Sequence, residues 1–174
     1  SSKYTNTEFN NLLPIEKNKV IESFTEESLT KTGEVNVFYD TFRNKSMKEF
    51  NKGNYQEAIK IIQVDIFNKN RATYRDYGVL GDYYLFSKQF TKAEETYAKG
   101  LQLQPSEINF QLNLAHVYLF TDRISEAKDI HKKYKEQNVN SKTSWIQQTK
   151  KDFDLFKKCR LPEDNFKKIL RVLE

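Results

Sequence analysis

Apolar and small side chains recur along the middle of the chain with two superimposed periods. Within the stretch 74–105, Tyr77, Leu80, Gly81 and Tyr84 follow i, i+3, i+4, i+7 spacing, which places them on one face of a helix. Ser87, Lys88 and Gln89 interrupt that pattern, and a second helical set follows with Ala93, Tyr97, Gly100 and Leu101. Thr91 and Glu94 have capping-box spacing at the start of the second helix. Pro105 ends it, and Ser106 is placed to cap the next one. The longer period appears when 74–105 is laid over 108–139. Leu80, Gly81, Tyr84, Phe90, Ala93 and Tyr97 fall on Leu114, Ala115, Tyr118, Ile124, Ala127 and His131, all at offset 34. An earlier stretch repeats at offset 35, with Phe42, Ser46, Tyr55, Ala58 and Ile62 on Tyr77, Gly81, Phe90, Ala93 and Tyr97. The spacing therefore predicts three two-helix units, at about 39–70, 74–105 and 108–139. Gly53-Asn54 supplies a left-handed turn in the first.

The small residues explain the register. Ser46, Gly81 and Ala115 are small where a second helix crosses closely, and Ala58, Ala93 and Ala127 face back from that helix. A single unit cannot bury its apolar face alone, so neighbours must stack and the ends must be capped.

The middle unit, Tyr77-x2-Leu80-Gly81-x2-Tyr84, then Ala93-x3-Tyr97, then Pro105, resembles the tetratricopeptide repeat. The third unit keeps Leu114-Ala115-x2-Tyr118 and Ala127 but has Gln111, His131 and Val139 at the remaining positions. The first keeps only Phe42, Ser46, Tyr55 and Ala58. The resemblance implies an all-α fold, a right-handed α-solenoid of about three helix-turn-helix units spanning 34–140. It also implies a concave inner surface that receives a peptide or helix of another protein. Family members that grip acidic chaperone tails use cations and amides on this surface. Asn113 matches that arrangement, whereas Met47, Gly78, Asp82 and Asn109 do not.

The flanks read as caps. Residues 1–12 are polar and aperiodic and are expected to be disordered. Residues 13–33 are expected to form a short helix carrying Ile15, Val20 and Phe24, followed by a loop. At the other end, residues 141–174 predict two capping helices. Ser141 or Thr143 starts the first, which carries Trp145, Thr149, Phe153 and Phe156. The second carries Phe166, Ile169, Leu170 and Leu173. The first residue is Ser rather than Met, which fits a trimmed chain or a mature exported form. A cytoplasmic location is the default expectation.

Composition narrows the function classes. The chain has 174 residues, with 5 Gly and 3 Pro, too few turn formers for an all-β fold of this length. No apolar run is long enough to span a membrane. A single Cys, Cys159, gives no intrachain disulfide. No metal-ligand spacing, phosphate loop or nucleophile elbow is present, so no catalytic residue, metal or cofactor is assigned. Net charge is +5, concentrated between Lys128 and Arg171, where 13 Lys and Arg face 6 Asp and Glu.

These observations point to a non-enzymatic protein-interaction scaffold. Helical geometry puts the inner stripe opposite the core face. It comprises Arg75, Asp82 and Phe86 in the middle unit and Asn109, His116 and Phe120 in the third. Met47 belongs to it in the first, and Arg43, Gly78 and Leu112 flank it. Phe86 and Phe120 are either aromatic anchors for a partner or are covered by the chain's own flank. Gly78 leaves a small hollow between them. Two alternatives remain: a polyanion- or nucleic-acid-contacting module using Lys128, Lys132, Lys135, Lys150, Lys151, Lys157 and Lys158, and an adaptor segment of a longer protein.

Overall fold

The computed structural model describes residues 34–174. The expected disordered stretch 1–12 and the flanking helix and loop at 13–33 lie outside the described residues. Two compact units divide at Arg71 and Ala72.

The first unit contains α1 (Glu34–Asn51) and α2 (Tyr55–Asp65), followed by a 3-10 turn at Phe67–Lys69. The two helices pack as a pair, with Ser46 and Ala58 fully buried. Phe38, Tyr39, Ile59, Ile61, Ile62 and Ile66 are also buried in this unit.

The second unit contains α3 (Tyr74–Phe86), α4 (Phe90–Leu103), α5 (Ile108–Phe120) and α6 (Ile124–Tyr134), then α7 (Trp145–Lys158) and α8 (Phe166–Leu173). Consecutive helices from α3 to α6 pack against each other, and α8 packs on α6. This is the all-α helical repeat that the periodicity predicts. Its crossings are as close as the small residues require. A Cβ on Gly81 would stand 2.3 Å from the Tyr97 ring, and one on Gly100 would stand 2.4 Å from Phe110. Ala93, Ala115 and Ala127 have no exposed surface.

The turns within the repeats share one device. Gly53, Lys88 and Asp122, related by the repeat offsets, all have positive φ, at 83°, 62° and 58°. In each case the following N–H reaches back to the carbonyl five residues earlier: Asn54 to Glu49, Gln89 to Tyr84, and Arg123 to Tyr118, all at 2.8–2.9 Å. This closes the last helical turn as a Schellman motif. Asn70 and Arg160 do the same after the 3-10 turn and after α7.

The helix starts differ from expectation. Helix α4 begins at Phe90 with Gln89 as its unbonded cap, not at Thr91. Glu94 instead forms a bidentate ion pair with Arg123, at 2.9 and 2.5 Å, which joins α4 to the start of α6. Glu107, not Ser106, caps α5 by accepting from Asn109 N. Before α7 the chain forms a short antiparallel pair, β1 (Asn138–Asn140) and β2 (Thr143–Ser144). That pair carries the helix start to Ser144, whose hydroxyl and the Gln147 side chain form a capping box. Ser141 and Thr143 have no such role.

Among the described residues no helix is long and apolar enough to cross a membrane.

Candidate functional site

Helix α7 does more than close the end of α5–α6. Its first residue, Trp145, is fully buried and donates its indole N–H to His131 Nδ1 at 2.9 Å, while its ring stacks on Tyr134. Further along, α7 turns its apolar face onto the inner stripes of α3 and α5. Phe156 packs edge-on to His116 and Phe120, with ring centroids 5.0 and 5.2 Å away, and reaches Phe86 at 5.5 Å. Phe153 stacks on Phe166 of α8 at 4.2 Å, and Phe166 in turn meets Phe120.

This packing corrects the expected partner-facing stripe. Phe86, Leu112 and His116 are buried, and Phe120 is partly so. Phe86, His116 and Phe120 serve as the seat of the chain's own last helices rather than as anchors open to a partner. The reason is visible in α5, which buries seven of its 13 residues. A helix apolar on every side needs a neighbour on every side.

Arg43 and Met47 belong to the first unit. Arg43 pairs with Asp40 at 3.0 Å and donates to the Arg71 carbonyl at 3.1 Å, and Met47 is exposed.

The other three stripe residues, Arg75, Asp82 and Asn109, line one cavity of about 380 Å³ between α3, α5 and α7. Gly78, Phe110 and Leu112 form part of its apolar wall, and Asn113, Gln148 and Asp152 add polar groups. A Cβ on Gly78 would meet Phe110 at 3.6 Å, an ordinary contact, so the missing side chain widens the cavity rather than allowing a helix crossing.

The cavity's polar groups are held in place. Tyr97 passes over Gly81 and donates its hydroxyl to Asp82 Oδ1 at 2.5 Å. Asp152 accepts from His116 Nε2 at 2.9 Å and from Gln148 Nε2 at 2.8 Å. Asn109 donates its amide to Glu107 at 2.8 Å and to the Val139 carbonyl of β1 at 3.4 Å. Burial pushes the Asp82 carboxyl up to about 7, with the Tyr97 hydroxyl opposing and the Asp152 charge reinforcing the shift. Burial, followed by the Asp82 charge and hydrogen bond, holds the Tyr97 phenol well above its ordinary value.

The cavity also contains residues that the stripe did not include: Asp152 and Gln148 from α7, Glu107 from the helix cap, and Asn113. Asp152 and Gln148 lie one turn apart on α7, but their destination depends on how α7 docks, which spacing alone does not encode. For α5 a signal was present: apolar residues at 112, 114, 115, 117, 119 and 120 surround the helix.

The profile of the tetratricopeptide repeat family matches residues 77–107, from the second turn of α3 to the start of α5. No curated protein and no solved structure matches the chain. The matched segment contains the Gly81–Tyr97 crossing, and the helix pairs before and after it share its register. Residues 77–107 of the chain are a tetratricopeptide repeat.

Proposed function

We propose that this chain is a non-catalytic interaction module. It binds an extended segment of another protein through the polar cavity on the inner face of α3 and α5. The observation that carries the reading is the repeat itself: residues 77–107 match a protein-interaction repeat, and the open cavity lies on the inner side of that same segment. The aromatic half of the inner face is occupied by α7, so partner contact is confined to the half bearing Arg75, Asp82, Asn109 and Asn113. The cavity suits side-chain recognition: it is walled by fixed polar groups on an apolar floor, and a few such contacts carry most of an interface's energy.

The test is site-directed cross-linking in the full chain. A photo-reactive residue at Asn113 should capture a partner isolated by affinity purification. The same residue at Leu103, 57% exposed on α4, should not. Equal capture from both positions would refute the assignment to this face.

A further inference from the structure

The cavity's charge is uneven. Among the described residues Asp82, Asp152 and Glu107 line it, against a single cation, Arg75. Arg75 is exposed and rests over the Tyr74 ring, 5.2 Å from its centroid, so the positive charge sits at the rim. The carboxylates come from three different directions: α3, α7 and the cap of α5.

Hydrogen-bonding capacity is unevenly used as well. Asp82 employs Oδ1 for Tyr97, and among the described residues its Oδ2 has no hydrogen-bond partner. Gln148 and Asn109 spend their N–H groups on Asp152, Glu107 and Val139, which leaves their carbonyl oxygens as acceptors. The Asn113 amide has no hydrogen-bond partner among the described residues. The interior therefore offers mostly acceptors and negative charge, and it calls for a ligand rich in donors and positively charged.

A metal ion does not fit this description. Among the described residues no three His, Cys, Asp or Glu side chains converge as ligands. The acceptors are spread around a volume of about 380 Å³, which suits an elongated organic cation with an apolar stem. Gly78, Val79, Phe110 and Leu112 provide the surface along which such a stem would lie.

Resting on the interaction reading above, we infer that the cavity receives a cationic side chain, lysine or arginine, projected by the bound segment, with Asp82 and Asp152 as its counter-charges. Arg75 at the rim then meets a backbone carbonyl or an acidic neighbour of that side chain. This is the opposite polarity from a groove built to hold acidic tails. Asp152 has a double role, since it both faces the cavity and ties α7 to α5 through His116.

The test is a titration of the ¹⁵N-labelled full chain at pH 8, where Asp82 is ionised, followed by NMR, with three probes. These are the blocked peptide acetyl-Gly-Lys-Gly-amide, its Gln counterpart, and spermidine. The lysine peptide should shift the amides of Gly78, Asn109 and Asn113, and the Gln peptide should bind at least fivefold more weakly. Asp82→Asn, which keeps an oxygen to accept from Tyr97, should lose the same fivefold for the lysine peptide. Asn113→Leu, which fills the cavity without changing its charge, should abolish the shifts. Melting curves on both variants separate loss of binding from loss of fold. Equal binding of the Lys and Gln peptides, or indifference to Asp82→Asn in a folded variant, would overturn the inference. Binding of spermidine alone would also overturn it, by pointing to a free polyamine. If a partner cross-links at Asn113 while the lysine peptide leaves the cavity unshifted, the interaction reading stands and the cationic ligand is wrong.

Discussion

Phe156 of α7 lies 5.5 Å, centroid to centroid, from Phe86 of α3, four helices back along the chain. The same ring also meets Phe120 and His116 of α5. One side chain thus joins the middle repeat and the third repeat to helix α7.

Removing that ring should be costly. Phe156→Ala should destabilise the second unit by roughly 3–5 kcal/mol, through lost burial plus the cavity left between three helices. Urea unfolding followed by circular dichroism measures it. A loss under 1 kcal/mol would mean that α7 is only loosely attached to the inner face.

Acid should loosen the Trp145 end of the same helix. Burial, then the neighbouring His116, lowers His131 from its ordinary value near 6.5 to about 3. The unfolded chain takes up a proton near pH 6.5 that the folded chain resists until about pH 3. Stability from this group is therefore complete above 6.5 and declines as pH falls through that window. The expected loss is roughly 1–2 kcal/mol between pH 6.5 and 5. Trp145, which donates to His131, should report the transition in its fluorescence. His131→Gln should flatten this part of the pH profile.

Asp82 acts with the opposite sign. Its carboxyl is raised to about 7, so the folded chain holds a proton that the unfolded chain releases near pH 4. Stability from this group is complete below about 4 and is lost as pH rises to 7. Asp82→Asn removes that term and should gain about 1 kcal/mol or more over the native chain at pH 8 relative to pH 4. Parallel stability-versus-pH curves for the two proteins would contradict the half-buried, cavity-lining placement of Asp82.

Three glycines of α3 and α4 should respond differently to one methyl group. Gly81→Ala and Gly100→Ala drive a Cβ to 2.3 and 2.4 Å from the Tyr97 and Phe110 rings. Each should cost roughly 1–3 kcal/mol through overpacking. Gly78→Ala meets Phe110 at 3.6 Å and should gain up to ~1 kcal/mol from helix propensity. Melting temperatures that rank the three in any other order would displace the crossing.

The left-handed turns offer a stabilising change. Lys88 and Asp122 occupy, at φ 62° and 58°, the position that Gly53 fills in the first unit. Lys88→Gly should raise stability by about 0.5–1 kcal/mol, because relief of the Cβ clash outweighs the added freedom of the unfolded chain. A fall in melting temperature would show that the side chain contributes more than its backbone strain removes.

The repeat was legible because its constraint is local and steric. Gly81, Ala93, Ala115 and Ala127 recur where helices cross, and a residue that must be small leaves a trace in any single sequence. The caps were less legible, since Thr91, Ser106 and Ser141 are chemically as suitable as the residues that fill those positions. The β1–β2 pair decides the last case by moving the helix start to Ser144. The cavity was half legible. Arg75, Asp82 and Asn109 come from helices whose faces the repeat defines. Asp152 and Gln148 come from a helix whose apolar face was clear but whose target was not. Phe86 and Phe120 mark the boundary of what spacing can decide, because an aromatic off the repeat core looks the same whether its cover is a partner or the chain's own end.

Helix α7 is connected to α6 by residues 135–144, a link of ten residues folded into the β1–β2 pair. A segment tethered so closely acts at an effective concentration on the order of millimolar. An outside aromatic sequence would have to outcompete Phe153 and Phe156 at that concentration. A positively charged one entering beside Asp82 meets no rival among the described residues. On the proposed binding mode, helix α7 would therefore act as a filter: by covering the aromatic half of the inner face, it would leave charge to decide which segment enters.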